Sequence, residues 1–70
     1  MQEVRTIGLS YRETQILQRV AEGLSSREIG ESFFISLNTV ETHRKSILRK
    51  LGVKSMAQAV AFGMKQNLIN

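Results

Sequence analysis

At 70 residues the chain has room for one domain with a small core, and its 41% of apolar residues suits a globular fold rather than a disordered one. It has no cysteine, which excludes disulfides and thiolate metal sites, and no apolar run near the roughly 18 residues that a membrane span needs. The net charge of +4 is unevenly spread: residues 1–35 carry four Arg and five Glu, whereas residues 36–70 carry six Lys or Arg and one Glu.

Residues 1–8 show no periodicity and no signal-peptide h-region, so they read as a leader or linker remnant before a domain over residues 9–70. The composition as a whole is that of a cytoplasmic protein. Four helical segments follow, with no persuasive strand run. Ser10 with Glu13 is a capping-box pattern, with Leu9 placed for a hydrophobic staple. Ile16, Leu17, Val20, Ala21 and Leu24 then recur at helical spacing as a core face, and Gly23 ends the first helix. Ser25 with Glu28 opens a short second helix through Ile29 to about Phe33. Within it Gly30 costs about 1 kcal/mol against Ala, and is expected where another helix backbone packs closely.

A tight connection, Phe34-Ile35-Ser36-Leu37, leads into a third helix from Leu37 or Asn38 to Leu51, stopped by Gly52. Ser55 with Gln58 predicts a third capping box and a fourth helix to about Gln66. Asn67 closes that helix and Leu68-Ile69 folds back.

The third helix has two faces. At about 100° per residue, Val40, Ile47 and Leu51 share the core direction. Glu41, Thr42, Lys45, Ser46 and Arg49 lie opposite. Those side chains suit base edges in a DNA groove: Lys and Arg bind guanine, Glu accepts from cytosine, and a Thr methyl touches thymine. Arg44 lies near the core direction, its stem packed and its head free for a phosphate. His43, on the other flank, reads as a partly buried, hydrogen-bonded side chain. Five bases (Arg44, Lys45, Arg49, Lys50, Lys54) fall in this one stretch, a field that would hold a polyanion. A short helix, a tight turn and a longer basic helix form the helix-turn-helix pattern, whose second helix enters the major groove. Ser26 and Arg27 open the short helix, where free amides and a cation suit a phosphate.

From Leu9 to Ile69 the chain resembles the LuxR/FixJ/NarL-type helix-turn-helix domain of bacterial transcription regulators. The pieces that carry the resemblance are Leu9-Ser10-Tyr11-Arg12-Glu13, Gly23-Leu24-Ser25, Arg27-Glu28-Ile29, Ile35-Ser36, Thr39-Val40-Glu41-Thr42-His43 and Lys50-Leu51-Gly52-Val53. The resemblance implies an all-α, four-helix domain with residues 26–45 as the motif and Glu41, Thr42 and Lys45 facing bases. It sets Ser26, Arg27, Thr39, Arg44 and Arg49 toward phosphates. It also implies a homodimer on paired half-sites with the fourth helix as contact. There Ala57 and Ala61 share an outer face, while Met56, Ala59, Val60, Gly63 and Met64 form the core stripe. Departures from the family pattern are Met56 for a usual Arg, Ser26 and Ser46 for Asn, Gly30 for Ala, and Glu41 where Lys is frequent. Such domains usually end a longer regulator, behind a phosphoacceptor or ligand-binding domain. The implied whole is therefore a two-component response regulator, with a stand-alone regulator as the alternative and RNA polymerase as a further partner.

Two other classes compete. A sigma-factor-like helical interaction module would centre on an apolar groove, whereas the distinctive face here is basic. An enzyme or metal protein would need convergent titratable groups, and the chain has one His, no Cys and no Asp. No cofactor is expected.

Overall fold

The computed structural model describes residues 8–70, so the expected leader or linker lies, apart from Gly8, outside the described residues. Four helices follow in order: α1 (Tyr11–Ala21), α2 (Ser26–Phe33), α3 (Leu37–Leu51) and α4 (Met56–Lys65).

Each helix begins on a serine whose hydroxyl takes an amide that the helix itself leaves unpaired. Ser10 and Glu13 form a complete capping box on α1, and Ser25 with Glu28 does the same for α2. Ser36 caps α3 through the Thr39 amide. The third box is only half formed. Ser55 Oγ accepts from the Gln58 amide at 3.2 Å, but Gln58 Oε1 accepts from Lys54 N–H rather than from Ser55. The amide carbonyl has gone one residue further back, where it ties the α3–α4 loop to the helix.

The core is made of Leu9, Ile16, Leu17, Ile29, Val40, Ile47, Ala59 and Ile69, with every helix contributing. Val20, Ala21 and Leu24 pack at its edge rather than inside it. On α4 the expected stripe holds for Ala59 and Gly63, which are buried, and for Met56 and Val60, which are half-buried. Met64 departs from it and is 45% exposed. Its place over the core is taken by the returning chain. Asn67 turns in the left-handed conformation, Leu68 donates to the Gly63 carbonyl at 2.8 Å, and Ile69 lies against Gly63. The Gln18 carboxamide then clamps the Asn70 main chain by two hydrogen bonds, of 2.9 and 3.2 Å.

Gly30 is needed for a reason different from the one the sequence suggests. A Cβ there would stand 2.8 Å from the Ile35 carbonyl oxygen, so the close neighbour is the α2–α3 turn and not another helix backbone. The Ile35 amide in turn donates to the Gly30 carbonyl at 2.9 Å, which pins the turn shut. That tight closure sets the direction in which α3 leaves α2.

Candidate nucleic-acid interface

With Val40 and Ile47 fully buried, the opposite side of α3 must face solvent, and the structure places Glu41, Thr42, Lys45 and Arg49 there, all exposed. At about 1.5 Å per residue this helix is roughly 22 Å long, and the four side chains fill its middle and C-terminal turns. Glu41 Oε1 lies 4.0 Å from Arg44 Nε, a loose ion pair one turn apart on the flank of that face. The Arg44 side chain keeps only 25% of its surface in solvent, so its stem is packed as the helix geometry predicts.

Ser46 does not belong to the exposed face. It is half-buried, accepts from Arg49 Nη2 at 3.2 Å, and its hydroxyl lies on the Glu13 side, where it helps lower the pKa of that carboxyl. The helix wheel places it at the edge of the polar side, and the neighbouring helix covers that edge. Lys50 is drawn the same way, donating to Glu13 Oε1 at 2.8 Å. The basic stretch therefore presents less free charge than its composition implies, because Lys50 is tied to a buried carboxylate and Arg44 is loosely paired with Glu41.

Glu13 is itself the pivot of that arrangement. Its Oε1 accepts both the Ser10 amide of the capping box and the Lys50 ammonium, although the residue is only 4% exposed. Burial pushes the carboxyl up. The Lys50 and Ser10 bonds, the Ser46 hydroxyl and the Lys50 charge outweigh that effect and hold it at about 2, against an ordinary 4.5. In a single-helix reading Glu13 is only a capping residue. Its second partner is 37 positions away, so no local spacing announces it.

Arg27 is exposed and Ser26 half-buried in the first turn of α2. Ser25 and Glu28 bond each other's amides, so the next two N–H groups, of Ser26 and Arg27, open outward at a positive helix end. Thr39 is exposed, but its hydroxyl shares a 2.9 Å hydrogen bond with Ser36 Oγ and thus serves the cap. His43 is half-buried, and among the described residues its ring makes no hydrogen bond, in contrast to the bonded histidine expected. Ala57 and Ala61 are exposed on α4. Also unforeseen is the α1–α2 seam, where the Arg12 and Arg19 guanidinium groups lie 4.4 and 5.7 Å from the centre of the Phe33 ring. Among the described residues no three His, Cys, Asp or Glu side chains gather, and no helix is long and apolar enough to cross a membrane.

Comparison with known proteins agrees with this geometry. The profile of the bacterial regulatory proteins of the luxR family, GerE, matches residues 8–62. The oxygen regulatory protein NreC of Staphylococcus aureus (strain JH9) is 43% identical over 61 residues, which are 87% of this chain and 28% of NreC. The chain thus spans under a third of the length of the curated relatives it matches. The response regulator ChrA of a heme-sensing two-component system superposes with a TM-score of 0.84 at 42% identity, over 96% of this chain and 33% of its own. The transcription factor GerE superposes with a TM-score of 0.88 at 29% identity, over 94% of this chain and 97% of its own. The four-helix arrangement joined through the tight α2–α3 turn is therefore that of a known fold. This chain belongs to the luxR family of bacterial regulatory proteins and is a helix-turn-helix domain that binds DNA in transcription regulation.

Proposed function

We propose that α3 lies in the major groove of duplex DNA and reads sequence through Glu41, Thr42 and Lys45. Arg44 and Arg49 hold the backbone from the flanks of that helix, and Ser26 and Arg27 hold it from the start of α2. Thr39 contributes a phosphate contact from the rim of its cap. The observation that carries this reading is the asymmetry of α3, fully buried along Val40 and Ile47 and exposed along a polar, basic row. Groove-floor contacts specify and phosphate contacts position, so the two sets should respond differently to substitution.

The domain acts as the DNA-binding effector of a two-component response regulator, at work in the cytoplasm on nucleoid DNA. Support comes from the two relatives above 40% identity, both much longer than this chain, one of them a response regulator. It pairs on two half-sites, with Ala57 and Ala61 of α4 toward the partner, because small exposed side chains let two helices approach. Contact with RNA polymerase would follow DNA binding. A stand-alone regulator is the second reading, since the transcription factor GerE aligns with this domain over 97% of its own chain. Selection of sites from a random duplex pool tests the proposal. A selected pair of related half-sites at a fixed spacing is expected, whereas retention of duplexes without any preferred sequence would overturn groove reading.

A further inference from the structure

The first turn of α3 holds one polar side chain, Asn38, with no evident structural work. Ser36 and Thr39 commit their hydroxyls to each other and to the helix cap. Leu37 is apolar and 43% exposed. Asn38, between them, is exposed, and among the described residues its carboxamide has no hydrogen-bond partner. Helix formation does not explain it, since Asn is a poorer helix residue than Ala and the capping position belongs to Ser36. Packing does not explain it either.

Its direction is informative. Measured from Val40 at about 100° per residue, Asn38 points near 160°, between Lys45 near 140° and Arg49 near 180°. Glu41 and Thr42, near 100° and 200°, bracket it on either side. Asn38 thus continues the exposed row by one turn toward the helix N-terminus, the end that lies against base edges when a recognition helix docks. It stands seven residues before Lys45, about 10 Å along the axis, or roughly three base steps at 3.4 Å each. We propose that Asn38 is a fourth base-reading residue and that its target is adenine. A carboxamide offers one acceptor beside two donors. Adenine alone presents the matching pair in the major groove, an acceptor at N7 next to the donor at N6. Asn38 Nδ2 donates to N7 and Oδ1 accepts from N6–H, two bonds that no other base edge returns in that geometry.

The inference rests on groove reading by α3, and the test separates the two. Sites are selected from a random duplex pool with the wild-type chain and with Asn38→Ala, whose helix content and melting are followed by circular dichroism. The wild type should yield a site containing an adenine about three steps from the position lost in Lys45→Ala. Asn38→Ala should select the same site with that adenine degenerate, its preference there reduced about 5- to 150-fold. Affinity for random duplex and the salt slope should stay as they were, because no charge is removed. Replacing that adenine by 7-deazaadenine, which lacks the N7 acceptor, should weaken wild-type binding several-fold and leave Asn38→Ala unaffected. Absence of any wild-type site would sink groove reading itself. A wild-type site that Asn38→Ala reads unchanged, or 7-deazaadenine tolerated by the wild type, would overturn the role of Asn38 alone.

Discussion

At the residue scale, Lys45 and Arg49 share one exposed face of α3 but are assigned different work. Lys45, one turn after Glu41, is placed for the groove floor. Arg49, near the helix end, and Arg44, on the flank, are placed for the backbone. Lys45→Ala should cost about 1–3 kcal/mol on a selected site and relax one base position. Arg44→Ala or Arg49→Ala should weaken selected and scrambled duplexes alike and make the salt slope shallower by about one. Titrations of both duplexes at two salt concentrations decide the matter, and equal losses for Lys45→Ala would remove it from the reading face. Glu13 supplies a second test at this scale. Its folded pKa of about 2 lies below the ordinary 4.5, so the stability it contributes is present above about pH 4.5. That contribution drains away as the pH falls toward 2, and by linkage it is on the order of 3 kcal/mol. Glu13→Gln should flatten the loss of stability between pH 5 and pH 2, measured by denaturant unfolding across about that window. An unchanged pH profile would mean that the Lys50 tie does not matter to the fold.

At the element scale, the α2–α3 connection depends on two residues of opposite fit, Phe34 and Gly30. Phe34, which caps α2, takes the left-handed conformation at φ 58° and is 96% exposed, so its ring returns no packing for the backbone cost. An L-residue pays about 1–2 kcal/mol there, partly offset by the unfolded-state entropy of glycine. Phe34→Gly should therefore raise stability by about 0.5–1 kcal/mol, read as a shift of the unfolding midpoint. Gly30 is the opposite case, since its missing Cβ makes room for the Ile35 carbonyl. Gly30→Val puts a branched side chain against that backbone and against Val40, and should cost about 1–3 kcal/mol or more. DNA binding should fall with it, because the turn that must shift is the one that aims α3. A Gly30→Val chain of wild-type stability would show that the turn opens freely.

At the scale of the whole molecule, affinity for DNA should be strongly electrostatic. Neutralising about four to six phosphates gives a slope of log affinity against log salt of roughly −4 to −5 per domain. Lys50 should contribute little to it, being bonded to Glu13, so Lys50→Ala should change the slope less than Arg49→Ala does. The exposed face of α4 offers Ala57, Ala61 and Met64. Two alanines and one half-exposed methionine cannot bury the roughly 1,200 Å² of a stable interface. Sedimentation should accordingly show a monomer or weak dimer in solution, with pairing on a two-half-site duplex. Ala57→Glu or Ala61→Glu should reduce cooperative binding there without unfolding the domain.

Features governed by local rules were legible in the amino-acid order alone. Serine caps, Gly52 and Asn67 in left-handed positions and the 3.6-residue periodicity set the four helices nearly to the residue, because each signal acts within one or two turns. The same periodicity separated the buried side of α3 from its exposed side, and the spaced family motifs pointed to DNA. The partners across elements come instead from how the helices pack on one another. Ser46 leaves the polar face because α1 covers it, and Lys50 is spoken for by Glu13. Gly30 answers to a carbonyl of the turn, and Met64 gives up the core to Ile69 as the chain returns over Gly63. Each of these depends on which helix edge lies beside which. That is set by how eight buried side chains from all four helices and the flanking segments fill one space, and no single window of sequence contains it.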